Sequence, residues 1–167
     1  MVIDTELAKS IRTRIGVAER HTLGLIDAVL IRRYARAIGD DNPLYNDSAY
    51  ARSRGFADIV APPNLIVSVV GWGSGPPTSA LRLDGTEAGG HLPGVPEHGI
   101  RVMGGGEELV FYRPVVAGAT VVVAEQLQSV DEKATRQGTM LVLRYDNEYT
   151  DDGGLALVRA RRTMLLR

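Results

Sequence analysis

"VAPPNLIVSVVGWGSG", Val60 to Gly75, is the stretch on which the fold turns. Its two prolines can occupy only the approach to an element or its first turn. From Asn64 to Trp72 the residues that follow are almost wholly apolar. A segment apolar on every side yet too short to cross a bilayer is buried all round. The reading adopted is a helix over which a sheet closes, against the strand favoured by the β-branched Ile66, Val67, Val69 and Val70.

C-terminal to this segment the composition changes twice. "GSGPPTSALRLDGTEAGGHLPGVPEHG", Gly73 to Gly99, is rich in glycine and proline and reads as a long loop, of a length more often functional or mobile than a plain connection. Four strand-like runs follow, "GIRVMGGGEELVFYRPV", "GATVVVAEQLQSVDE", "GTMLVLRYDNEYTD" and "GLALVRARRTMLLR", each bounded by glycine or polar turns. In the third, Leu141, Leu143, Tyr145 and Tyr149 alternate with Arg144, Asp146 and Glu148, the period of a half-buried antiparallel strand. "DDGG", Asp151 to Gly154, is a hairpin turn signal. The glycines of "MGGGEE" lack the spacing of either phosphate-binding loop, and a bulged or closely packed strand explains them better.

N-terminal to the apolar segment the chain reads helical. "TELAKSIRTRIG" spaces Leu7, Ile11 and Ile15 by four residues behind a capping threonine. A second helix starts near Asp27 and runs through Leu30, Ile31, Tyr34 and Ile38 until Gly39 stops it. A third, "DSAYARS", begins at Asp47, with Pro43 fixing the turn before it. Helices first and an antiparallel sheet after, with one buried helix between, make an α+β architecture. At 167 residues and 44% hydrophobic content, residues 1–167 fit one domain with its own core.

Nineteen basic and twenty acidic residues leave a formal charge of -1, which supplies no field to gather nucleic acid phosphates. The late arginines, Arg159, Arg161, Arg162 and Arg167, read as a solvated face or as intersubunit salt bridges rather than a phosphate site. The absence of cysteine excludes disulfides, thiolate nucleophiles and cysteine-ligated metals. The opening "MVIDTELAKSIRTRIG" has no apolar run of the secretory kind, and no stretch is apolar for the length of a membrane helix, so a cytoplasmic chain without membrane partners is expected.

The candidate chemistry lies in "GDDNPLYND", Gly39 to Asp47. Asp40 and Asp41 follow a helix end, where the dipole gives a carboxylate no help, so they are solvated, the commoner case, or deliberately paired. Asn42 with Pro43 forms a turn in either case. Of the three histidines, His91 and His98 sit in the long loop, and with His21 they make no metal-ligand spacing. No metal and no retained cofactor are expected.

The run "YARAIGDDNPLYNDSAYARSRGFADIVAPPNLIVSVVGW" followed by "EELVFYRPVVAGATV" resembles the MaoC-like hydratase/dehydratase family of the hotdog fold. The family motif falls on Gly39, Asp40, Asn42, Pro43 and Asp47, and its late strand signature on Arg113, Pro114 and Gly118. Tyr45 stands where the family carries its histidine. "APPNL" stands where catalytic members usually carry a His-Gly pair, and it looks like the N-terminal, often non-catalytic, half of two-hotdog hydratases and of the heterodimeric dehydratases, the FAS1-like dehydratase branch. The resemblance implies an antiparallel sheet wrapped around a central helix. It implies a substrate held as a 2-enoyl or 3-hydroxyacyl thioester of coenzyme A or acyl carrier protein, and a homodimer or a heterodimer with a second hotdog subunit. It puts the catalytic set on Asp40, Tyr45 and Asn42. The thioester oxygen would meet backbone amides near Asn64 and Leu65, and Arg113 or the late arginines would meet the carrier's phosphates. A non-catalytic thioester-binding subunit is the alternative, and a thioesterase a weaker one.

Overall fold

The alternation in "GTMLVLRYDNEYTD" becomes strand β4, Gly138–Asp151, in the computed structural model, which describes residues 5–68, 77–85, 95, 100–136 and 138–167. Leu141, Leu143, Tyr145, Asn147 and Tyr149 are buried on one face, while Arg144 and Glu148 are exposed on the other. Beside β4 lie β3, Ala119–Thr135, and β5, Ala156–Leu166; β1, Ala18–Ile26, and β2, Val102–Phe111, form the edges. The five-stranded order is β1-β3-β4-β5-β2, antiparallel throughout. The turn between β4 and β5 is the Asp-Gly hairpin read from "DDGG", with the Gly154 amide donating to the Asp151 carbonyl at 3.0 Å.

The chain crosses from one sheet edge to the other through short helices: α2, Ala28–Ile38, α3, Pro43–Asn46, α4, Ser48–Ser53, and α5, Leu65–Ser68. A preceding helix, α1, spans Thr5–Arg12. Asp27 starts α2 by accepting the Leu30 amide at 2.7 Å. In α5 Leu65, Ile66 and Val67 are all buried, so the prolines do introduce a helical turn rather than a strand. This turn packs with Ile31 and Ala35 of α2, Val121 and Val123 of β3, Tyr149 of β4 and Val158 and Ala160 of β5. A second apolar cluster joins Ala8 and Ile11 of α1 to Leu127, Leu141, Leu143 and Leu166. The expected fold, an antiparallel sheet closing over a buried helix, is the one observed.

Three expectations change. The helical first half contains β1. Only Ile26 of that strand is buried, and its register slips between Thr22 and Gly24, so an edge strand carrying Glu19, Arg20 and His21 shows no period of two. The late arginines form ion pairs inside the chain: Arg159 with Asp146, Arg161 with Glu108 and Arg162 with Glu107. The reason is register, since β2 and β5 set Glu108 opposite Arg161 and Glu107 opposite Arg162. Third, Pro43 begins the one-turn helix α3 where only a turn was read. Trp72, His91, His98 and much of the expected loop lie outside the described residues.

The glycines of "MGGGEE" act as read. β2 slips register between Gly104 and Gly106. A Cβ on Gly105 would stand 2.9 Å from the Thr163 Cγ2 atom, closer than packed atoms come.

Leu65→Ala removes a fully buried side chain. It is expected to lower the unfolding free energy by about 2–5 kcal/mol, seen as a lower urea midpoint at unchanged slope.

Candidate active site

The stretch "GDDNPLYND" folds as a relay of caps. Gly39 takes the left-handed conformation that closes α2, at φ 70°. The next amide, of Asp40, donates to the Ala35 carbonyl at 3.0 Å. That arrangement satisfies helix-end carbonyls and fixes where Asp40 stands. The Asp40 carboxylate accepts the Asn42 amide at 3.0 Å, and Asn42 Oδ1 in turn accepts the Leu44 amide at 3.0 Å, opening α3. Asp47 then opens α4 by accepting the Ala49 amide at 2.8 Å and the Tyr50 amide at 3.0 Å. Each polar side chain of the motif therefore holds the backbone that presents the next.

The relay delivers Tyr45 into the apolar cluster. Burial raises its phenol pKa above the ordinary value, and the nearby Asp40 charge raises it further, against a smaller opposing effect of the Asn42 side chain. At neutral pH Tyr45 is a proton donor and not a base.

Tyr45 lines a cavity of about 260 Å³. Its walls are Leu44, Phe56, Val60, Pro62 and Ile66 on one side and Phe111 to Val115 with Val158 on the other. Backbone bonds clamp these segments together: Val60 donates to Leu44 at 2.9 Å, Ala61 to Val115 at 2.7 Å and Tyr112 to Leu157 at 2.9 Å. Among the described residues, Arg113 is the one charged residue in the lining.

Of the residues singled out by sequence, the cavity thus brings Tyr45 and Arg113 together. Asp40 and Asn42 act on Tyr45 but do not line the cavity, and Asn64 and Leu65 do not line it either. The Leu65 amide is not an open donor, because the α5 turn is so tight that it donates to the Pro62 carbonyl at 2.9 Å. The exposed Asn64 amide has no acceptor among the described residues. Sequence reading passed over Phe56, Phe111 and Tyr112. Their signal was the aromatic pair directly before Arg113 and the phenylalanine directly after Gly55.

The model of the family described as "FAS1-like, dehydratase domain region" matches residues 15–159. The chain belongs to this family. A UPF0336 protein of Parafrankia sp. is 36% identical over 126 residues, covering 74% of this chain and 72% of its own length. A protein of Thermomonospora curvata named probable enoyl-CoA hydratase alpha subunit is 30% identical over 147 residues, 85% of this chain but 44% of its own length. Among solved structures, the ChsH1-ChsH2 complex from Mycobacterium tuberculosis contains a chain that superposes with a TM-score of 0.74 at 21% identity, covering 97% of this chain and 96% of that one. A MaoC-like dehydratase superposes at 0.67 with 22% identity, covering 93% of this chain and 42% of that one. The hotdog fold and the FAS1-like dehydratase branch, both expected from the resemblance, are therefore shown. No described helix of this FAS1-like dehydratase chain is long and apolar enough to cross a membrane.

With its pKa raised, Tyr45 is more than half protonated at pH 10.0, where an unperturbed tyrosine is half ionised. Above that pH the unfolded chain releases a proton that the folded chain retains, so this residue's share of stability falls as pH rises. The ultraviolet difference spectrum on alkaline titration should lose a late-titrating component in Tyr45→Phe.

Proposed function

We propose that this chain is the thioester-holding subunit of a hydratase/dehydratase acting on 2-enoyl and 3-hydroxyacyl thioesters of coenzyme A or an acyl carrier protein. In this proposal a second hotdog subunit supplies the acid–base pair. One observation carries the reading: among the described residues, no side chain lining the cavity can act as a base at neutral pH. Hydration forms a C–O bond at the β-carbon and a C–H bond at the α-carbon, so a group must take a proton from water. Tyr45 is protonated, Arg113 is a permanent cation, and the Asp40 carboxylate is engaged by the Asn42 amide. Tyr45 and Arg113 are suited to the other half of the task, holding the thioester oxygen or the carrier's phosphates as negative charge develops.

Two further features support a partner. Among the described residues β2 is an edge strand bonded only to β5; it ends in the exposed Val110 and Phe111, and Phe111 with the exposed Tyr112 that follows lines the cavity. An open strand edge with apolar side chains invites another chain. Some structural neighbours are complexes of two such subunits, ChsH1-ChsH2 and HadBC from Mycobacterium tuberculosis.

A self-sufficient homodimer is the second reading, favoured by the proximity through which the Asp40 charge acts on Tyr45. Hydration of a trans-2-enoyl coenzyme A thioester, followed by loss of its conjugated absorbance, separates the two. The chain alone is expected to be inactive and to gain activity when combined with a hotdog subunit carrying an intact Asp and His pair. In that combination Asp40→Asn should retain most activity, and Arg113→Ala should raise KM by roughly three- to tenfold. Activity of the chain alone that disappears in Asp40→Asn would reverse the assignment.

A further inference from the structure

Val158 and Arg159, neighbours on β5, serve different faces of the sheet. Val158 is buried, stands opposite Phe111 of β2 and walls the cavity with it. Arg159 stands opposite Glu148, which alternates along β4 with the buried Asn147 and Tyr149, so it lies on the outer face. On that face a second concavity, a polar groove of about 380 Å³, takes Tyr112, Ala124, Asp146, Glu148 and Arg159 into its lining. Tyr112 thus borders both the apolar cavity and the polar groove.

Within the groove Arg159 is held by Asp146, whose Oδ1 accepts from Nε at 2.8 Å and whose Oδ2 meets Nη2. The same guanidinium donates to the Tyr112 phenol. Five N–H groups in a fixed plane can serve both partners at once. A line of bonds therefore runs from β4 through β5 to the residue that follows β2.

That anchor falls where the backbone ladder gives out. β2 ends at Phe111. Beyond it the amides of Tyr112 and Arg113 share one acceptor, the Leu157 carbonyl, at 2.9 Å and 3.3 Å, and Pro114 has no amide to donate. The Arg113 backbone is thus held by the longer half of a shared bond. Its neighbour Tyr112 has a side-chain anchor as well, and the residues on either side of that anchor, Phe111 and Arg113, both line the cavity.

We propose that Arg159 is a positioning residue for the thioester: by holding Tyr112 over the groove it keeps Arg113 directed into the cavity before the substrate arrives. Arg159 lines the groove and not the cavity, so it acts through Tyr112 and touches no substrate. Its effect is pre-organisation. A cavity arginine that is ordered only on binding lowers affinity, whereas one already in place does not.

The inference rests on the thioester reading above, and the test separates the two. A saturated medium-chain acyl coenzyme A is titrated calorimetrically against the protein in its native assembly. Tyr112→Phe removes the phenol oxygen and keeps the ring; Arg159→Lys keeps a cation for Asp146 but lacks the fork that reaches both partners. Each should weaken binding about threefold, the scale of ordering one long side chain, at a melting temperature close to that of the wild type. In an Arg113→Ala background, itself weaker, neither change should weaken binding further, which a general loosening of the fold would not produce. Wild-type affinity in Tyr112→Phe or in Arg159→Lys overturns the inference and leaves the thioester reading standing. So do losses that multiply with that of Arg113→Ala, and so does an Arg113→Ala chain that binds as tightly as the wild type. A wild-type protein that binds no thioester overturns both.

Discussion

The burial of Leu65, Ile66 and Val67 against the inner face of β3, β4 and β5 is the contact on which the rest depends. A sheet with one apolar face must cover it, and four residues of helix cannot bury themselves without the sheet. The two therefore define each other. α2 completes the cover through Ile31 and Ala35, and the chain between α2 and α5 has to turn back within a short span. The cavity forms where that return passes the end of β2.

The same return explains why a motif associated with chemistry is so deeply structural here. Asp40, Asn42 and Asp47 each accept backbone amides, and without them α3 and α4 would begin with unsatisfied donors. The residue that faces the cavity is the tyrosine between these caps, whose phenol is electrically tuned by the carboxylate behind it. Structural and chemical readings of the motif thus coincide: the carboxylate that fixes the turn adds to the effect of burial in raising the proton affinity of the group it presents.

The strands from β2 onward, α2 with both of its caps, and the hairpin at Asp151 were legible because each depends on local alternation or local capping. β1 was not, since an edge strand with a bulge leaves too few buried positions to make a pattern. Arg113 and Tyr45 could be picked out by motif. Phe56 and Tyr112 join them only through contacts distant in sequence, as when the Tyr112 amide meets the Leu157 carbonyl. The arginine pairs depended on strand register, which residue types alone do not specify. The inward phase of Asn147 was visible between Tyr145 and Tyr149, but its bond to Glu125 is a property of the packed sheet.

The two edges of the sheet carry the same devices in different places. β1 presents Arg20 and His21 to solvent and slips register at Gly24; β2 slips register between Gly104 and Gly106, exposes Glu107 and Glu108, and ends in Val110 and Phe111. Charges and bulges on a strand discourage pairing. Uninvited strand addition, the route by which open sheets propagate into fibres, is therefore opposed at both edges, and on β2 the exposed apolar stretch is confined to its last two residues.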